Sequence, residues 1–138
     1  MWYAEHTLET SATPERVWRE VAEVTLWPEW DEDLAWADLS GPFAPGSRGK
    51  MKPRHGGLQT FRLSAVVAQK SFTVFQGLLL GEVRHTHLQE PSAMGTRLTH
   101  RVEIAGFLGW LYGWTRGPRM RDRLAPNLRR LARIAAGD

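Results

Sequence analysis

Cysteine is absent from the 138 residues, which removes disulfides, thiol nucleophiles, CxxC redox chemistry and thiolate zinc sites from consideration. Lysine is scarce, three against fifteen arginines, a bias read as the imprint of a GC-rich genome rather than of a nucleic-acid function. Long apolar runs are missing too. The longest, Ile104 to Thr115, is about twelve residues with three glycines, well short of the roughly 20 that cross a bilayer, so no membrane insertion is expected. Met1 to Thr10 contains neither a basic n-region nor an apolar h-region, so no signal peptide is read and a cytoplasmic location is expected. Gly41, Gly46, Gly49 and Gly56-Gly57 form no GxGxxG or Walker pattern ahead of a helix, which argues against a nucleotide cofactor. With no RNP or helix-turn-helix signature beside the arginines, no nucleic-acid partner is expected.

What is present suits one globule. At this length roughly 68% of the unfolded chain's surface can be buried, and an apolar content of 42% supplies the material. Charge is uneven: residues 1–40 carry ten acids and two arginines, whereas residues 41–138 carry sixteen bases and five acids, for a net charge of +3. The acids lie among apolar positions and the arginines in an amphipathic C-terminal stretch, so the asymmetry reads as two solvated faces.

Apolar residues recur every second position at the start, giving a strand with Trp2, Ala4, His6 and Leu8 on one face. Thr13-Pro14 then supplies an N-cap oxygen and a first-turn proline for a short helix striped by Val17, Val21 and Val24, with Trp18 and Ala22 beside it. Trp27-Pro28-Glu29-Trp30 allows at most a single helical turn. From Leu34 the period returns to two, with turn residues spaced so that six strands are expected: Leu34–Ser40, Gly49–Pro53, Thr60–Val67, Phe72–Leu80, Glu82–Gln89 and Thr96–Ile104. Met51, Phe61, Leu63 and Ala65 share inward faces, as do Leu98, His100, Val102 and Ile104. After Gly106 a helix is expected, kinked at Gly109, Gly113, Gly117 and Pro118 and again near Pro126, then regular through Leu124, Leu128, Leu131 and Ala135. The antiparallel meander has one apolar face, and only this last helix is long enough to lie across it.

The order of strand, short helices, six-strand meander and long C-terminal helix resembles the helix-grip fold (START-like, Bet v 1-like), an α+β class with a seven-stranded curved antiparallel sheet. The wording resembles the bacterial polyketide cyclase/dehydrase branch of the SRPBCC superfamily. The residues that carry the likeness are Ser11 to Trp18, Trp27-Pro28-Glu29-Trp30, Gly41 to Gly46, Glu90-Pro91 and Gly95 to Thr99. The likeness spans residues 1–138 as one domain. It implies a cavity between sheet and helix that accepts a hydrophobic or aromatic small molecule, and it implies no particular reaction, because the superfamily has no universal catalytic motif.

Histidine is the natural acid/base candidate. If the hairpin through Pro91 to Gly95 pairs Gln89 with Leu98, His87 stands opposite His100 on the inner face. A slip of one residue would instead put Arg84, Thr86 and Leu88 inside and expel His85 and His87. The first register matches the hairpin spacing usual in the family and is adopted. Three roles stay open for the pair: hydrogen-bonded histidines lining a polar end of the core, ligand contact, or proton transfer. His85-Thr86-His87 can chelate on a strand, yet without three or more converging ligands no metal is expected. The expected ligand-binding set is Trp36, Met51, Phe61, Leu63, Phe72, His87, His100, Val102, Trp110 and Trp114, with the last two on one side of the helix next to a strip of glycines. The arginines of that helix, Arg119, Arg123, Arg129, Arg130 and Arg133, are read as a solvated face.

The reading is therefore a cofactor-free binder of a small lipid- or polyketide-like molecule, monomeric or homodimeric. The rivals are a cyclase or dehydratase that uses His87 or His100, and an interaction domain whose cavity is filled by its own side chains.

Overall fold

In the computed structural model, which describes residues 1–137, the alternating N-terminus forms strand β1 (Trp2–Thr10) with Ala4 and Thr10 buried and Tyr3, Glu5, Thr7 and Glu9 exposed. Thr13 Oγ1 accepts the Arg16 N–H at 3.3 Å, and Pro14 opens helix α1 (Pro14–Ala22), which buries Val17 and Val21. A 3₁₀ turn (Val24–Leu26) and one turn of helix, α2 (Trp27–Trp30), follow. Strands β2 (Leu34–Ser40), β3 (Arg48–Pro53), β4 (Gln59–Val67), β5 (Ser71–Leu78), β6 (Gly81–Pro91) and β7 (Thr96–Ala105) lead to helix α3 (Gly109–Ala136).

All seven strands join one sheet in the order β1-β7-β6-β5-β4-β3-β2, each pair antiparallel. The first strand thus closes one edge and the second the other, and α1 and α2 carry the chain between them. This is the α+β helix-grip arrangement. Its main core joins Val17, Val21, Trp27 and Trp30 of the N-terminal helices to Phe61, Leu63, Phe72 and Leu98 of the sheet and Leu128, Leu131 and Ala135 of α3. A smaller cluster, Ala4, Val83, Val102 and Ile104, lies under the first half of α3.

Two bulges alter the alternation expected from the sequence. In β2 the register slips between Leu34 and Trp36, so Leu34 and Ala37 point inward and Trp36 is turned out. In β4 a slip between Leu63 and Ala65 brings Val66, rather than Ala65, back toward the core. A bulge inserts one unpaired residue, and every side chain beyond it changes face.

Helix α3 is also unlike the expectation, because it runs unbroken through both prolines. Proline removes one intrahelical hydrogen bond and strands the carbonyl four residues back. Those carbonyls belong to Trp114 and Asp122, which lie with Pro118 and Pro126 on the exposed side, where an unpaired carbonyl costs little because it faces solvent. The glycine strip has a partner: a Cβ at Gly113 or at Gly117 would come within 2.5 Å of the Trp2 side chain. The missing side chains therefore let the helix backbone sit on an indole.

Candidate functional site

Strand register lines up the inner residues in transverse rows. One row runs His6, His100, His87, Phe72 and Val66 across β1, β7, β6, β5 and β4. The next runs Ala4, Val102, His85, Val74 and Leu63. Gln89 pairs with Leu98 and His87 with His100, the register that keeps His85 and His87 on the inner face.

A pocket of about 440 Å³ opens over these rows. Its buried walls are Trp27, Trp30, Leu34, Phe72, Val74, His87, His100 and Val102, whereas His55, Gln59, Thr115, Arg116 and Arg119 are exposed lining residues and so mark the mouth. The mouth lies between the first half of α3 and the β3–β4 end of the sheet. The aromatic walls form a continuous series. Trp27 stacks on Phe72 (5.9 Å between centroids), Phe72 on His87 (5.4 Å), His87 meets His100 edge-on (5.1 Å), and Trp30 tilts against His100 (5.5 Å).

A hydrogen-bond chain orders the histidines. The Pro14 carbonyl can only accept, so Gln89 reaches it through Nε2 at 2.8 Å and turns Oε1 toward His87. Oε1 accepts from His87 Nε2–H at 2.9 Å, which makes Nδ1 of a neutral His87 an acceptor. It receives Nε2–H of His100 at 2.9 Å. Among the described residues nothing donates to Nδ1 of the neutral His100, which leaves a lone pair on a pocket-lining ring. Desolvation pushes His87 and His85 down to about 4 and holds His100 well below the usual imidazole range, with His87, His85 and His6 adding like-charge repulsion at His100. All three stay neutral near pH 7.

Two further polar features lie at the pocket. Trp30 keeps its indole N–H buried without a hydrogen-bond partner among the described residues. Burial raises the Asp31 carboxyl to about 6 against the pull of Arg123 and a hydrogen bond from Asn127. Asp33 forms an ion pair with Arg123.

Of the residues expected at the site, Met51, Phe72, His87, His100 and Val102 line the pocket. Phe61 and Leu63 are buried in the core instead, with Phe61 packed on Trp27 at 5.4 Å between centroids. Trp36, Trp110 and Trp114 are 44%, 68% and 75% exposed and lie outside the pocket: the β2 bulge turns the first outward, and the glycine strip, seated on Trp2, points the other two away from the sheet. The helix arginines divide as well. Arg119 and Arg123 line the mouth together with Arg116, Arg130 pairs with Glu32, and Arg129 and Arg133 are exposed. Their signal was the spacing Arg116, Arg119, Arg123 and Asn127, one face of a helix. Trp27 and Trp30, which were not among the residues expected at the site, serve as core and as pocket wall. Among the described residues no three histidine or acidic side chains are grouped to hold a metal, and no helix is long and apolar enough to cross a membrane.

The profile of the family described as polyketide cyclase/dehydrase and lipid transport matches residues 1–136. The chain belongs to that family. No curated sequence matches it. Among solved structures, protein NE0264 from Nitrosomonas europaea is similar at TM-score 0.75 and 13% identity, covering 96% of this chain and 93% of that one. The hypothetical protein jhp0584 from Helicobacter pylori gives TM-score 0.76 and 10% identity over 96% and 87%. The di-domain ARO/CYC StfQ from the steffimycin biosynthetic pathway gives 0.73 and 15%, covering 96% of this chain and 50% of StfQ. At these identities the likeness is one of fold. The cyclase/dehydrase and lipid-transport family thus supplies the architecture, and the function has to be argued from the pocket.

Proposed function

We propose that this cyclase/dehydrase-family protein holds a small hydrophobic or aromatic molecule in the pocket between its sheet and α3. The observation that carries the reading is the 440 Å³ volume walled by Trp27, Trp30, Phe72 and the ordered His87–His100 pair, a size and lining suited to a small-molecule site. Flat aromatic walls favour a flat or chain-like apolar body through stacking and dispersion. The Nδ1 lone pair of the neutral His100 supplies one acceptor at this wall. An interaction domain with a cavity filled by its own side chains fits this volume poorly.

A second reading, a cyclase or dehydratase, draws on the same lone pair as a general base. The tautomer chain orients it, yet a base held well below neutrality has little driving force to take a proton from carbon. The geometry therefore supports binding more strongly than catalysis. The test is displacement: the anionic dye ANS should fluoresce with the native protein and be displaced by fatty acids or aromatic polyketides. Native mass spectrometry of protein purified from its own host should then show a bound organic mass. A folded protein that binds neither dye nor competitor overturns the reading.

A further inference from the structure

The pocket is polarised from floor to mouth. The floor is aromatic and electrically neutral, since the three histidines beneath it are uncharged near pH 7. The mouth carries three arginines of α3, Arg116, Arg119 and Arg123, and two acids, Asp31 and Asp33, while Arg101, which also borders the pocket, is paired with Glu5.

The charges do not cancel. Arg123 is committed to Asp33. Asp31 is half-buried, its carboxyl is raised to about 6 by desolvation, and it accepts the Asp33 N–H at 3.0 Å besides its contacts with Arg123 and Asn127. Arg116 lies over the Tyr112 ring, 5.3 Å from its centroid, a contact that leaves its guanidinium edge N–H groups available. Arg119 has no carboxylate partner among the described residues. One helical turn apart, Arg116 and Arg119 project side by side, so two guanidinium groups without carboxylate partners among the described residues flank the entrance to the aromatic floor, and the mouth keeps an excess of positive charge.

We infer that the molecule held here is an amphipathic organic anion, its apolar or aromatic body on the Phe72, Trp27 and His100 floor and its anionic head, carboxylate or phosphate, between Arg116 and Arg119. The inference rests on the pocket being a ligand site and adds the chemical class of the ligand. Guanidinium groups are suited to either head because their planar fork matches two oxygens at once. Entry head-last leaves the charge half-solvated at the rim, so the full cost of burying an anion is avoided.

Matched probes test it: 2-naphthoate, 2-naphthyl phosphate and the neutral 2-naphthamide share one ring system and differ in the head. By isothermal titration at low salt, one or both anions should bind roughly tenfold more tightly than the amide, as expected for a charge-assisted pair of hydrogen bonds. The tighter of the two anions identifies the preferred head. In the double variant Arg116→Gln with Arg119→Gln that advantage should fall to about twofold or less, with amide affinity and circular dichroism unchanged; these are exposed positions, where substitution is well tolerated. Equal affinity for all three probes would overturn the anion inference while leaving a working pocket. An anion advantage that survives the double variant would overturn the assignment to these arginines. Failure of every probe to bind the folded protein would remove the pocket reading itself, and this inference with it.

Discussion

His87 Nδ1 lies 2.9 Å from His100 Nε2 across the β6–β7 ladder, and the Gln89 amide behind His87 decides which ring carries which proton. Nitrogen-15 NMR of the imidazoles should show both rings neutral at pH 6, each protonated at Nε2. Replacing Gln89 by Met removes the acceptor for His87 Nε2–H and the donor to the Pro14 carbonyl, and should cost about 1–3 kcal/mol of stability while mixing the tautomers. Rings already charged at pH 6, or an unchanged tautomer in the variant, would contradict the chain.

Acid sensitivity follows from the same burial. His85 and His87 titrate near 4 when folded against 6.5 when not, and His100 is depressed too. Between those values the unfolded chain binds more protons, so their contribution is complete above pH 6.5 and is lost as the pH falls toward 4. Asp31 works the other way: its folded value near 6 exceeds the ordinary 3.8, so it adds stability as the pH falls through that window. Three groups outweigh one. Urea midpoints should drop from pH 6.5 to 4, and Asp31→Asn should raise the midpoint at pH 7 and steepen the acid loss. A flat profile would show that the histidines are solvated.

Gly113 and Gly117 seat α3 on Trp2. An alanine in a helix interior ordinarily gains about 1 kcal/mol over glycine, but here each added methyl meets the indole, and overpacking of this kind costs about 1–3 kcal/mol. Gly113→Ala and Gly117→Ala should therefore both destabilise, and alanine at position 2 should relieve the Gly117 variant, whose methyl meets only the indole ring, more than the Gly113 variant, whose methyl also meets the position-2 Cβ. Stabilisation by either alanine, read from urea midpoints, would mean that Trp2 does not lie under the helix.

Trp110 and Trp114 are solvent-facing. Serine at either position should move stability by less than about 0.5 kcal/mol and leave dye affinity as it was, with iodide quenching the parent fluorescence at these sites. A loss of dye binding in these variants would return them to the site.

Much of this molecule follows from short-range chemistry. The Thr13-Pro14 cap, the period-two runs and the Pro91–Gly95 turn are local devices, and they were enough for the seven strands and the three helices; the pairing of His87 with His100 needed the hairpin spacing of the resembled family as well, because alternation alone allows a slip of one residue. Met51, Phe72 and Val102 reach the pocket because alternation within a strand needs no information from elsewhere.

Tertiary structure decided the rest. Nothing near Trp36 or Ser64 marks where a bulge falls, since a bulge relieves a mismatch in length and curvature with the neighbouring strand. The seven-residue helical spacing of Arg116, Arg119 and Arg123 is present in the sequence, but whether that face meets water or a pocket rim depends on the rotation of α3 about its axis. That rotation is set by Trp2, 111 residues before Gly113 along the chain, and packing between such distant segments is a property of the assembled core rather than of any local window.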